Sequence, residues 1–318
     1  MSVRQTPLVR CRELETGEDT RVFLKLECLQ RTGSFKLRGA TRVIAAMGAA
    51  DRKAGVVTAS AGNHGAGLAL AGRSAGVSVA VVVPTRTPQN KQRRMLDLGA
   101  ELLVQGGDYD ASETIARALA AKRKATFVSA FDDDEVMRGN GGDLGAEIRK
   151  QVLAVAQESE LSQVLVPVGG GGLIAGMAGE LSESGVLVVG CQPSNNCAMY
   201  DSLGVGHALC EYQKEHTVAE GCEGAVCERT YAVVARHQLP IVTVSEASIE
   251  EAVKFLYQVC GVVAEPSAAV PIAALRSGVA TVVPNGITVV VISGGNIDES
   301  ALDALLEGVA PGERAPNA

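Results

Sequence analysis

The feature that most limits how this chain can fold is an alternation that runs nearly its whole length. Short runs rich in Val, Ile and Leu occupy 21–27 (RVFLKLE), 55–60 (GVVTAS), 79–84 (VAVVVP), 101–106 (ELLVQG), 125–130 (ATFVSA), 163–168 (QVLVPV), 185–190 (GVLVVG), 241–245 (IVTVS) and 287–293 (ITVVVIS). Most are followed by ten or more residues at helical spacing. The runs are not strictly alternating, so they suit strands buried on both faces. That predicts an α/β protein: open, largely parallel twisted sheets flanked by helices. With 318 residues and 47% hydrophobic composition, the chain can bury a large core, and its length favours two domains. No repeat or Pro/Ser-rich linker separates them. The charged stretch FDDDEVMRGNGGD at 131–143 is the best candidate for the crossing point, and its three Asp residues read as a solvated turn and helix cap rather than a metal site.

A net charge of −7 argues against nucleic acid or an anionic membrane as partner, and 3% aromatic residues with no Trp leave few rings for stacking bases. Small molecules are the expected partners. The first twenty residues lack the apolar region of a secretion signal and no uncharged run reaches the ~20 residues of a membrane span, so the expected location is the cytoplasm. The 8 cysteines contain no C-x-x-C pair and lie mostly in apolar segments, as buried free thiols do.

Three glycine-rich stretches follow strand-like runs. In VLVPVGGGGLIAGMAGEL, Gly169, Gly170, Gly171 and Gly172 precede a helix, and exposed N–H groups at a helix start favour a phosphate. Residues 170–175 formally match G-x-G-x-x-A, but the next strand ends in Gln192 where a dinucleotide site needs an acid, and no Lys-Ser/Thr follows. A compact phosphate ester without a ribose fits better. In TASAGNHG, Ser60, Ala61, Gly62, Asn63 and His64 could present donors to a carboxylate, or Asn63 could simply cap a helix. The third, Ser293 to Asn296, ends an apolar strand, where open parallel sheets bind ligands. Lys36, in RTGSFKLR, could be a surface charge with apolar neighbours or a buried amine held for chemistry.

Together TGSFKLRGA (32–40), SAGNHG (60–65), GGGGL (169–173), EPSAA (265–269) and SGGN (293–296) resemble the fold-type II (tryptophan synthase β-like) pyridoxal-phosphate enzymes, specifically the serine/threonine dehydratase and serine racemase group. The resemblance implies pyridoxal 5'-phosphate in a Schiff base with Lys36. It places Phe35 near the ring, Asn63 on the ring hydroxyl, Gly169 to Gly172 and Leu173 on the phosphate, and Ser293 on the pyridine nitrogen. Ser60, Ala61, Gly62 and His64 would receive the substrate carboxylate. It also implies a homodimer with a large domain (1–50 and 136–318) and a small mobile domain (51–135). The expected reaction is catabolic: an L-β-hydroxy amino acid loses water, and the resulting enamine is hydrolysed, taking water back and releasing ammonia, to give a 2-oxo acid. A neutral Ser293 would moderate the electron sink and favour prompt loss of a β-group.

Departures from the group's pattern bear on the reaction and the substrate. Racemases carry a second serine where this chain has Ala61, so elimination is favoured, with racemisation the alternative; a non-catalytic ligand-binding relative is the alternative outside enzymes. Cys28, Gly142 and the cysteine-rich 194–231 segment leave the β-substituent open, methyl, phenyl or carboxylate. Glu220 and Glu223 could offer oxygens to a divalent cation, which some relatives bind, or serve as cap or surface residues. With only a short stretch beyond the last helical pattern, the carboxy-terminal regulatory domain of biosynthetic threonine dehydratases is not expected.

Overall fold

The computed structural model describes residues 3–155, 160–212 and 215–307. Its strands are β1 (Leu8–Arg10), β2 (Arg21–Leu26), β3 (Val56–Ala59), β4 (Val79–Val83), β5 (Glu101–Val104), β6 (Thr126–Phe127), β7 (Leu161–Pro167), β8 (Leu187–Pro193), β9 (Ile241–Val244) and β10 (Ile287–Ile292). They form a six-stranded sheet, β1-β2-β10-β7-β8-β9, and a four-stranded sheet, β5-β4-β3-β6. Every pairing is parallel except β1 with β2. Nine strands coincide with the apolar runs. The tenth, β1, has three residues, half-buried to exposed, too few to carry a pattern.

Both faces of each sheet are covered. Helices Glu246–Gln258 and Pro266–Arg276 close one face of the large sheet, and Asp143–Val155 and Gly172–Leu181 the other. The small sheet packs between helices Lys36–Ala46 and Asn63–Ala75 on one side and Tyr109–Arg123 on the other. This double burial is why β10 reads as unbroken apolar sequence. Its Val289, Val290, Val291 and Ile292 are wholly buried, each side chain contributing about 1.5–3 kcal/mol. Abundant Ala and Gly let the helices approach closely. A Cβ on Gly67 would lie 3.1 Å from backbone atoms of Lys36 and Leu37, so the two helices touch backbone to backbone there.

Helix ends are fixed by side chains the sequence supplies. Asp108, Asp133 and Ser245 each accept from a first-turn N–H of the helix that follows. Asp133 is the middle of the triple Asp, and Asp132 and Asp134 both pair with Arg229. Beneath helix Lys36–Ala46 lies a buried ionic cluster. Arg38 donates to Glu27 through Nε (2.8 Å) and Nη2 (2.7 Å) and to Glu147 through Nη1 and Nη2 (both 2.9 Å). Lys25 donates to Glu147 at 2.5 Å, and Thr6 to Glu27 at 2.5 Å. Glu27 and Lys25 are fully buried, so the cluster ties β2 to two helices with its charges mutually satisfied. Among the described residues no helix is long and apolar enough to cross a membrane.

Candidate functional site

The carboxyl ends of β3, β7 and β10 open onto one cavity of roughly 1990 Å³. Every site residue expected from the sequence lines it: Phe35, Lys36, Ser60 to His64, Gly169 to Leu173, and Ser293.

Lys36 is the first residue of its helix, and the loop before it is stitched to the end of β10. The Phe35 N–H donates to Ser293 O at 3.0 Å, and Ser34 bridges Gly294. The half-buried amine donates to Ala130 O at 3.1 Å and lies 5.1 Å from the Phe35 ring centre. Loss of solvation lowers it from 10.5 to about 8, against the opposing pull of Glu265 and Cys222. It is therefore a substantially neutral amine near pH 8. The Cys222 thiol is itself pushed up to about 12 by burial.

The four glycines turn sharply between β7 and helix Gly172–Leu181. Gly171, the residue before the helix, has φ +89°, and a Cβ there would also meet Met199 and Thr230 at 2.8 Å. A Cβ on Gly170 would strike the Phe131 ring at 2.5 Å. Thr230 Oγ1 holds the loop by donating to Gly170 O at 2.8 Å. Among the described residues the N–H groups of Gly170, Gly171, Gly172 and Leu173 have no acceptor. Four unpaired donors at a helix start fit a phosphate, and an amine of lowered pKa lining the same cavity fits an aldehyde.

Helix Asn63–Ala75 begins after Gly62, so Asn63 is not its cap. The Asn63 amide instead points across the cavity. Its Nδ2 donates to both oxygens of Glu265 at 2.9 and 3.1 Å, and its Oδ1 accepts from Asn296 Nδ2 at 2.6 Å. Burial raises the Glu265 carboxyl, opposed by the Asn63 amide. His64 is 2% exposed, with Nε2 3.3 Å from Val128 O and Nδ1 without a partner among the described residues. Burial, and then the Lys36 charge, lower it to about 3, so it faces any anion as a neutral ring.

Glu265 and Asn296 sit in motifs legible in the sequence, but nothing there announces that they meet Asn63. Arg94 escapes sequence reading altogether: its Nη2 donates to Thr32 O at 2.8 Å and Asn296 Oδ1 at 2.9 Å. Glu220 is exposed and paired with Lys91 at 3.3 Å, and among the described residues no group of three or more His, Cys, Asp or Glu could hold a metal ion.

Comparison with known proteins agrees with this geometry. The family model described as pyridoxal-phosphate dependent enzyme matches residues 1–294. The chain is 35% identical over 311 residues to L-threonine dehydratase catabolic TdcB of Staphylococcus aureus (strain USA300), covering 96% of this chain and 88% of that protein. The processed form of threonine deaminase isoform 2 from Solanum lycopersicum superposes with a TM-score of 0.85 at 32% identity, over 96% of this chain and 83% of the other. Serine racemase from Dictyostelium discoideum superposes at 0.81 with 28% identity, over 93% and 94%.

Proposed function

The chain belongs to the family of pyridoxal-phosphate dependent enzymes, as an ammonia-lyase of the dehydratase kind, and from that premise we propose that its substrate is an L-amino acid with a hydroxyl on Cβ, converted to a 2-oxo acid and ammonia. The observation that carries this reading is the row of unpaired N–H groups from Gly170 to Leu173, sharing one cavity with an amine lowered to about 8.

The glycine N–H groups would hold the cofactor phosphate, Lys36 would attach its aldehyde, and the Phe35 ring would pack near the cofactor ring. Asn63 would donate to the ring hydroxyl by giving up one of its two bonds to Glu265, and Ser293 would face the ring nitrogen. Once bound, the cofactor supplies the electron sink for Cα. The rest is done by the chain. Donors of the Ser60–His64 loop, at the start of helix Asn63–Ala75, hold the substrate carboxylate and so fix which bond at Cα faces Lys36. The neutral amine takes the α-proton at Nζ. Where racemases carry a second serine the loop has Ala61, which has no proton to return to Cα, and this favours elimination over racemisation. Serine and threonine are the simplest substrates, and β-phenylserine and 3-hydroxyaspartate the bulkier ones.

The proposal extends to a homodimer in the cytoplasm, whose 51–135 unit closes over substrate. The family resemblance supports the dimer, the free thiols suit a reducing compartment, and the position of the cavity between the two sheets supports closure.

The test is to supply the protein and pyridoxal phosphate with L-serine, L-threonine, L-threo-3-hydroxyaspartate and L-threo-β-phenylserine. Matched yields of 2-oxo acid and ammonia are expected from at least one. Interconversion of enantiomers without oxo acid would establish the racemase instead. Lys36→Ala should lose both the cofactor's bound absorbance and turnover; wild-type turnover by that variant would overturn the reading.

A further inference from the structure

We infer that the preferred substrate carries a second carboxylate, as 3-hydroxyaspartate does, and that Arg94 is the residue that recognises it. This rests on the dehydratase reading and names the substrate class within it.

Six lysine and arginine side chains line the cavity: Lys36, Lys91, Arg94, Arg117, Arg229 and Lys254. Four of them are already neutralised. Lys91 pairs with Glu220, Arg117 with Glu113, Arg229 with Asp132 and Asp134, and Lys254 with Glu251. Lys36 is assigned to the chemistry. Arg94 is left as a half-buried guanidinium with no carboxylate in ion-pair contact among the described residues. Its Nη2 spends both hydrogens on neutral oxygens, of Thr32 and Asn296, while Nε and Nη1, with three N–H groups between them, have no acceptor there. The acid whose charge bears on it is Glu265, and burial biases that carboxyl toward its neutral form.

A guanidinium partly withdrawn from water, with most of its donors open, is a costly arrangement unless an anion completes it. Two anions already have receptors: the cofactor phosphate at the glycine loop and the α-carboxylate at Ser60–His64. The remaining one belongs to the substrate side chain. Position agrees with this. Arg94 is on helix Gln89–Asp97, whose Met95 packs against Gly65 beside the carboxylate loop, and Asn296 links Arg94 to Asn63 through one hydrogen bond on each side. The two bonds from Nη2 fix the guanidinium before substrate arrives.

The experiment compares kcat/KM for L-threo-3-hydroxyaspartate, L-serine and L-threonine in the wild-type holoenzyme, Arg94→Gln and Arg94→Lys. The wild type should prefer the dicarboxylic substrate. Arg94→Gln should lower kcat/KM for it by about 10- to 100-fold, mainly through KM, while the neutral substrates change far less. Arg94→Lys should recover part of the loss. Equal losses for all three substrates would mean that Arg94 serves the fold or the α-carboxylate, and would overturn the inference, as would a wild-type preference for serine or threonine. If no β-hydroxy amino acid yields oxo acid, the dehydratase reading has failed, and calorimetry of the holoenzyme with L-aspartate and L-alanine decides about Arg94 separately. Tighter aspartate binding that Arg94→Gln abolishes supports its role; equal binding ends it.

Discussion

Lys36 can accept a proton only while its amine is neutral, and burial rather than any contacting base arranges this. With the amine lowered to about 8, the rate at which the apoprotein attaches pyridoxal phosphate should rise with pH and level off above about 8. A profile still climbing toward 10.5 would place the amine in solvent. The same shift has a stability consequence. Between about 8 and 10.5 the unfolded chain holds a proton on Lys36 that the folded chain has lost, so this group makes the apoprotein more stable as pH rises through that window. Glu265 acts one contact away, by fixing the Asn63 amide through both its oxygens. Glu265→Ala should weaken cofactor affinity by about 1–3 kcal/mol, measured by titrating apoprotein with pyridoxal phosphate while the far-ultraviolet spectrum stays unchanged.

Two elements set the site's shape through what their glycines lack. Gly171 starts a helix from a left-handed conformation, with Met199 and Thr230 against its missing side chain. Gly171→Ala should cost about 1–3 kcal/mol and lower the melting temperature as well as phosphate affinity. Gly67, midway along its helix, lets that helix reach the backbone of Lys36 itself. Gly67→Val should destabilise by about 1–3 kcal/mol and slow cofactor attachment, because overpacking there displaces the start of the Lys36 helix. At this scale the sequence was highly legible. Strands buried on both faces must be apolar throughout, which is why nine of them stand out, whereas an edge strand of three residues such as β1 is written mainly in its partner. The cap of the 63–75 helix was less legible, since Gly62 takes that place and frees Asn63 to reach over 200 residues along the chain.

Over the whole molecule, what was legible and what was not divides by distance along the chain. The glycine loop, the Ser60–His64 loop, Lys36 and Ser293 each sit in a local pattern with its own chemistry. The Glu265–Asn63–Asn296–Arg94 chain of contacts has no local pattern, because it exists only once the two sheets face each other. Long-range closure also makes the buried ionic cluster matter: Arg38 joins the turn Glu27–Leu29 just after β2, its own helix and helix Asp143–Val155 through Glu27 and Glu147. Arg38→Met should leave the buried Glu27 carboxylate without its cation, while Glu147 keeps Lys25, and cost about 3–5 kcal/mol, visible as a lower urea midpoint. A further consequence lies in the strand order, and it concerns synthesis. Among the described residues β10 is the last strand made, yet it sits between β2 and β7, so the large sheet stays split down its middle until residue 292 has left the ribosome. The small sheet lies wholly within 56–127 and faces no such wait. From the end of β7, the nascent chain carries two open, apolar strand edges for roughly 6–25 s of elongation. A ribosome stalled in that interval would display an aggregation-prone chain that binds chaperones, whereas one stalled once β6 has emerged would carry a small sheet already able to pair.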